Sequence, residues 1–466
     1  LGTLGSISTS TRDLLAGRDR PIAAWDAEQG DRSGPDRAVL AEAFAQVRGD
    51  TERLADPLEP EDQVIQSMPD VSPTRWHRAH TTWFFETFIL GDPAFWSDPK
   101  DMPEPVEPSY AYLFNSYYQQ VGPQFPRHKR GLLSRPTCAD VARYRKQVDQ
   151  RMAALVETCS DDVLNQLSNR MVLGLHHEQQ HQELLLMDIK HVFSENPLLP
   201  TYAPGADGDA AGGARSSTTE VEPPPFSWTG FDGGEFLIGA SNGFHFDNEG
   251  PRHVSLIGDF ELANRLVTSG EWLSFIEDGG YERPELWLSD GWATRCAQGW
   301  SAPLYWFRRE GRWHEFTLNG PRPVLKSSPV VHVSGYEADA FARWAQARLP
   351  TEFEWERAAD SLGTESSEPN IGFRYLQPRP AEDVQLLQQL IGDVWEWTSS
   401  PYIGYPRYRP PHGAIGEYNG KFMSGQMVLR GGSALTPPGH IRTTYRNFFP
   451  PHSRWMFGGL RLARDT

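Results

Sequence analysis

The chain has 466 residues, too many for one ordinary core, so two or three domains are expected. Its formal net charge of −17 leaves no basic stripe to neutralise phosphates, which argues against nucleic acid and anionic membranes as partners. Apolar residues make up 38%, no apolar run approaches the ~20 residues of a membrane span, and no signal-peptide pattern is recognisable at the first residues.

Residues up to about Pro35 are polar and rich in Gly, Asp and Arg, and are expected to be loosely held. The spacing from Arg37 to Leu54 predicts a helix that ends before Pro57. After a turn at Met68–Pro73, the run from Trp76 to Leu90 is apolar around most of its circumference beyond His80, which predicts a buried helix. Tyr110 to Gly122 contains Phe114-Asn115-Ser116-Tyr117-Tyr118, and a basic patch follows at Arg127, His128, Lys129, Arg130 and Arg135. Such a patch suits either a solvated loop or carboxylate recognition by Arg. Cys138 to Cys159 and Asp161 to Phe193 read as two more helices, and four long helices predict a bundle over 36–200.

The segment 201–225 is rich in Gly, Ala, Ser, Thr and Pro and reads as a linker. Beyond it, short strand-like pieces such as 235–239 and 253–256 alternate with turn residues. Helices are expected to be scarce apart from Ser269–Asp278 and Ser334–Gln346, so 226–466 reads as a loop-rich α+β domain whose gaps are filled by many of the 16 Trp. The three cysteines, Cys138, Cys159 and Cys296, are odd in number and far apart, which predicts neither a disulfide framework nor a Cys-type zinc site and fits a reducing cytoplasm.

The most informative stretch is Leu175-His176-His177-Glu178-Gln179-Gln180-His181-Gln182-Glu183. On a helix, His177 and His181 lie about 40° apart and can share one metal ion. The same spacing also suits a solvated polar stripe. Gln180 flanks that face, whereas His176 points about 100° off His177 and Glu183 about 200° from His181, which makes Glu183 a poor ligand.

Three strings, Arg348-Leu349-Pro350-Thr351-Glu352-Phe353-Glu354-Trp355-Glu356, Gly392-Asp393-Val394-Trp395-Glu396-Trp397-Thr398 and Leu429-Arg430-Gly431-Gly432-Ser433, resemble those of the formylglycine-generating-enzyme (sulfatase-modifying factor) domain, a variant C-type-lectin fold. Trp76–Leu90 and His176–Asp188 look like the iron-binding helices of a DinB-like four-helix bundle. The two together resemble the ergothioneine-biosynthesis sulfoxide synthases (EgtB-like), which are non-haem iron enzymes.

The resemblance implies that His80 joins His177 and His181 as ligands of one Fe(II), with positions left open for substrate and dioxygen. Imidazoles alone would equally suit zinc, copper or nickel. Formylglycine-generating enzymes use two C-terminal cysteines to bind copper; no cysteine follows Cys296, so that chemistry is excluded and the second domain is expected to bind substrate and cap the site. Trp395 and Trp397 are expected to pack in the core.

The run Arg446-Asn447-Phe448-Phe449-Pro450-Pro451-His452-Ser453-Arg454-Trp455 is similar to the family's substrate-binding loop. Where the γ-glutamylcysteine branch carries an Asp and the first of two Arg, this chain has Phe449 and Ser453, which implies the branch that uses free cysteine. That branch also carries Asn-Ser-Tyr-Tyr, here Asn115–Tyr118, and implies that Tyr117 or Tyr118 delivers a proton or hydrogen atom during the oxygen chemistry.

The implied partners are hercynine (Nα-trimethylhistidine), L-cysteine and O2, joined by oxidative C–S bond formation into hercynylcysteine sulfoxide. Gln180 and Asn447 are candidates for the hercynine carboxylate. Phe448, Phe449 and Trp455 are candidates for its trimethylammonium through cation–π contact, and Arg127 and Arg130 for the cysteine carboxylate. Competing expectations are an ovothiol-type synthase acting on histidine, a hercynine–selenosugar relative, a DinB-like zinc thiol transferase and a lectin-like binding module. The ovothiol-type enzymes usually carry a C-terminal methyltransferase domain, and the three-His set argues against a mere binding module.

Overall fold

The computed structural model describes residues 36–203, 225, 227–361, 368–382 and 387–466. The expectation of a loose segment before Pro35 lies outside the described residues, as do 204–224 of the expected linker.

Three of the four long helices of the first half begin at a side-chain cap. The Asp36 carboxylate accepts the Ala38 and Val39 N–H groups to start α1 (Arg37–Ala55). Pro73 precedes α2 (Thr74–Phe85), which continues through one π-helical turn, Glu86–Leu90. After the short α3 (Tyr110–Phe114), a Thr137/Asp140 capping box opens α4 (Cys138–Thr158), and Ser160 caps α5 (Asp161–Ser194). Their apolar faces meet in one core, with Phe44 and Val47 of α1, Trp83 of α2, Val148 and Met152 of α4 and Leu167 and Met171 of α5 all buried.

The long α5 lies tight on α2. A Cβ at Gly174 would stand 2.7 Å from the Phe85 ring, so the glycine is what lets the helices close at this level. One turn on, Glu178 is fully buried and its carboxylate accepts from Arg48 (2.7 Å), Thr51 (2.6 Å) and Arg145 (3.0 Å). Leaving such a charge unpaired inside a bundle would cost several kcal/mol, roughly 3–5, so the trio fixes the rotation and height of α5. The adjoining face, about 60–100° round the helix, then carries His181 and His177 at a set position.

The second half is built from small sheets joined by loops. Strands β1 (Trp228–Phe231) and β4 (Phe260–Ala263) pair antiparallel, and β12 (Ala463–Asp465) brings the end of the chain back onto β4. The strands expected at 235–239 and 253–256 form the hairpin β2 (Gly234–Ile238) and β3 (His253–Ile257). A three-stranded meander, β5 (Trp306–Arg309), β6 (Arg312–Thr317) and β7 (Gly320–Pro323), follows α6 (Ser269–Glu277) and α7 (Ser289–Gln298). After α8 (Gly335–Trp344) and α9 (Glu352–Ser361) comes the sheet that matters for the site. In it, β8 (Trp395–Pro401) lies between β9 (Met427–Arg430) and β11 (Gly458–Gly459), with β10 (Asn447–Phe449) beyond β9 at the edge.

Two of these helices, α7 and α9, come in addition to the two expected at 269–278 and 334–346. α9 escapes a periodicity reading because half of what it buries is carboxylate, beside Trp355, Ala358 and Ala359: Glu352 pairs with Arg430 and Arg446, and Glu356 with Arg430. α7 is mostly exposed and buries only Gly291 among its ten residues, so it has no apolar stripe to detect.

The two halves share a core. Leu185, Leu186, Ile189 and Phe193 of α5 join the buried cluster that contains Trp395, Trp397, Leu429 and Met456. Trp397 is packed as expected, and its indole N–H donates to the Val333 carbonyl. From the first residues of the expected linker, Tyr202 is buried and donates to the Leu54 carbonyl at 2.8 Å. No described helix is long and apolar enough to cross a membrane.

Candidate metal centre

α2 presents His80 and α5 presents His177 and His181 to one point, with one ring nitrogen from each lying within 4.8 Å of the others. The His80 and His177 Nε2 atoms are 3.2 Å apart. The geometry identifies which nitrogens face inward. His80 Nδ1 lies 2.6 Å from the Phe114 carbonyl, which can only accept, so Nδ1 carries the proton and Nε2 is free. His181 Nδ1 lies 2.8 Å from His77 Nδ1, and His77 Nε2 lies 3.0 Å from Asp188 Oδ2. With Asp188 accepting, His77 bears its proton on Nε2 and accepts from His181 through Nδ1. His181 therefore also offers Nε2.

Burial holds all three imidazoles neutral, with His177 pushed down to about 3 and His80 and His181 well below the ordinary value. Three neutral, inward-facing imidazole nitrogens with no protein acceptor between them fit a divalent transition metal. Asp188 is fixed by the Ser72 N–H at 2.8 Å and by the Trp455 indole from the second half at 3.2 Å. Asp188 thus acts on the ligand His181 through His77: it sets the tautomer of His77, which accepts the His181 Nδ1–H and raises the basicity of that ligand. Asp188→Asn is therefore expected to weaken metal binding about 10–100-fold with the fold intact, as read by competitive chelator titration.

Glu183 stands clear of this point, as its helical angle predicts. Its carboxylate accepts from Ser433 Oγ (2.6 Å), Trp395 Nε1 (2.8 Å) and Thr436 Oγ1 (2.8 Å). It therefore ties α5 to β8 and to the loop after β9.

A cavity of about 520 Å³ opens beside His181, between the helices and the second half. From the first half come Trp76, Tyr117, Arg127, Arg130 and Gln180, and from the second Tyr418, Asn447, Phe448, Phe449, Ser453 and Trp455. Gln180 is held at both ends of its amide: Tyr418 donates to Oε1, and Nε2 donates to Tyr445 Oη at 2.7 Å. Arg130 is buried with its guanidinium 3.4 Å over Trp76, whose other neighbour is the His80 ring at 4.5 Å. It donates to Ser72 Oγ and forms no ion pair among the described residues. Arg127 is turned to the Asp70 carbonyl and is more exposed. Phe448 stacks on Tyr402 at 4.1 Å, and Phe449 meets Trp455 edge-on.

The structure separates the two tyrosines. Tyr117 lines this cavity, and its buried phenol oxygen has no hydrogen-bond partner. Tyr118 packs beneath it, with ring centroids 4.6 Å apart, and reaches a different space beside His177.

Residues 222–378 and 381–466 match the model of the sulfatase-modifying factor enzyme 1-like domain, and residues 43–185 match the DinB superfamily. A hercynine oxygenase of Mycolicibacterium smegmatis is 31% identical over 458 residues, covering 92% of this chain and 99% of the relative. One of Mycolicibacterium thermoresistibile is 32% identical, covering 93% and 96%. The chain belongs to the hercynine oxygenase family. Ergothioneine biosynthesis protein 1 of Schizosaccharomyces pombe is a more distant relative, 26% identical over 48% of this chain and 28% of its own length. As a hercynine oxygenase the chain is an oxidoreductase with a helical DinB domain and an α+β second domain.

Sequence reasoning missed several residues of this hercynine oxygenase site. His77 had a signal, since it lies one turn before His80 in the same string. Asp188 also had one, seven residues or two turns beyond His181 on α5. Tyr418 and Tyr445 had none: both lie in irregular segments where no period assigns a direction to a side chain.

Proposed function

We propose that this protein is a non-haem iron(II) sulfoxide synthase that joins the sulfur of cysteine to C2 of the hercynine imidazole during ergothioneine biosynthesis. The observation that carries this reading is the three-Nε2 site at the edge of a cavity lined by both domains. His80, His177 and His181 would hold Fe(II), which supplies the redox chemistry that couples four-electron reduction of dioxygen to the oxidation of carbon and sulfur. Overall, a C–H and an S–H bond are lost, a C–S and an S–O bond form, and the second oxygen atom leaves as water.

The protein's own part is binding, orientation and proton supply. Gln180, its amide fixed by Tyr418 and Tyr445, and Asn447 on β10 offer donors for the hercynine carboxylate. The rings of Phe448 and Phe449 offer faces and edges of an apolar wall for the trimethylammonium. Arg130 offers a buried guanidinium with no ion pair among the described residues, which suits the carboxylate of cysteine, and Arg127 stands at the same rim. Tyr117 offers a phenol inside the cavity. Burial raises its pKa well above the ordinary value, so its proton stays in place until it is drawn on.

Phe449 and Ser453 also line the cavity and supply no charge for a glutamyl amine and carboxylate. Cysteine is therefore expected to exceed γ-glutamylcysteine in kcat/KM by about tenfold or more, as one missing charge-assisted contact is worth at least about 1.4 kcal/mol. Steady-state kinetics with both thiols measures this, and an advantage for γ-glutamylcysteine would refute the assignment. The test of the reading as a whole is a substrate panel on iron-loaded protein under air: hercynine or histidine as acceptor, and cysteine or a selenosugar as donor. Turnover with hercynine and cysteine above the other pairs is expected. Preference for histidine would mark an ovothiol-type enzyme, preference for the selenosugar a selenium-transferring one, and zinc-dependent thiol transfer without oxygen uptake a DinB-like transferase.

A further inference from the structure

A second cavity, of about 350 Å³, lies on the other side of His177. Its floor is formed by His177 and Tyr118, and its inner walls by Phe84, Leu173, Phe244 and Ile415. Its mouth is at the surface, where Asn169 and Pro411 are exposed. Phe246 and Tyr418 line both cavities, so they stand between this one and the larger, polar one. The Asp247 carboxylate, which belongs to the lining of the smaller cavity, is engaged by the Tyr408 hydroxyl at 2.7 Å and by the Asn419 amide.

The two cavities differ in what they can admit. Hercynine and cysteine both carry charges, and a charge placed against Phe84, Leu173 and Ile415 without a partner would be strongly disfavoured. A small apolar gas has the opposite preference. Apolar walls of this kind take up such molecules as xenon. The reaction also sets a steric requirement. Two amino-acid substrates seated in the larger cavity stand between His181 and the solvent on that side, while dioxygen has still to arrive. The apolar cavity reaches the ligand His177 from the opposite side.

We propose that the cavity behind His177 is a dioxygen channel, which lets the gas reach the metal position past Tyr118 while the polar cavity is filled. The proposal rests on the reading of the protein as an O2-dependent enzyme. It adds a binding site for a small apolar gas and a function for Leu173 and Ile415, neither of which touches the polar cavity. It also places Tyr118 on the gas path and leaves Tyr117 on the substrate side.

Two experiments test it. Crystals of the metal-loaded protein pressurised with xenon, without substrates, should show xenon between Leu173, Phe244 and Ile415; an empty cavity there overturns the proposal. Leu173→Trp and Ile415→Trp fill the channel from opposite walls, so that a folding failure of one leaves the other to report. Each is expected to raise the KM for dioxygen about tenfold, with kcat at saturating dioxygen and the KM values for hercynine and cysteine unchanged. A folded variant with a filled cavity and an unchanged KM for dioxygen overturns the proposal, as does a rise confined to the KM of an organic substrate. Failure of the wild-type protein to consume dioxygen with any acceptor and donor would instead remove the functional reading, and the xenon experiment is independent of it.

Discussion

Replacing His80, His177 or His181 by Ala is expected to abolish stoichiometric iron binding and to reduce activity by at least about 10³-fold. Each histidine is one of the three donors that converge at this point among the described residues. Glu183→Gln should keep the metal, because the carboxylate faces Ser433, Thr436 and Trp395 rather than the three Nε2 atoms. Its cost should appear as a lowered melting temperature, since one amide replaces a carboxylate that accepts three hydrogen bonds across the domain contact. Metal analysis of anaerobically loaded protein separates the two classes. Iron lost in Glu183→Gln and kept in His80→Ala would show that the ligand set is wrong.

The second large effect is expected at Tyr117. A sulfoxide synthase must favour C–S bond formation over simple oxidation of cysteine to its sulfinic acid, which needs no phenol. Tyr117 lines the substrate cavity and has a buried, unpartnered phenol oxygen, so it can supply a proton or hydrogen atom as dioxygen is reduced. Each ~1.4 kcal/mol of differential stabilisation is worth about tenfold in product ratio. Tyr117→Phe is expected to keep iron and both substrates while raising the share of cysteine sulfinate by about tenfold or more. Tyr118→Phe should change the ratio less, because its ring lies on the far side of Tyr117, beside Phe88 and Trp83. Product analysis of both variants and the double variant under air measures this. A wild-type ratio at wild-type rate in all three would reduce Asn115–Tyr118 to packing.

Much of the helical half was legible because caps and apolar spacing coincide there: the helices expected from Arg37, Cys138 and Asp161 begin at those residues. The pair His177 and His181 was legible from the turn of a helix alone. His80 was reached only through the resemblance of its string, since nothing in the spacing of a separate helix says what it packs against. The links that make the centre work were not legible. His77 finds Asp188 across 111 residues, and Glu183 meets Ser433 across 250. Each depends on how two elements dock, which periodicity does not encode. Arg130 stood out as a cation in an acidic chain, but its place on Trp76, and through Trp76 on His80, is a tertiary fact. In the second half, α9 was hidden because it is stabilised by buried ion pairs of Glu352 and Glu356, and a hydrophobic pattern reports apolar burial only.

The central claim is that one centre built from His80, His177 and His181 couples dioxygen to the joining of two amino acids. Mass spectrometry of the products formed by iron-loaded protein from hercynine and cysteine under ¹⁸O-labelled dioxygen tests it most directly. The account predicts a single adduct of the two substrates, short of two hydrogens and carrying one labelled oxygen, with none formed by His80→Ala. Unchanged hercynine beside doubly labelled cysteine sulfinate, or an adduct whose oxygen carries no label, would contradict it.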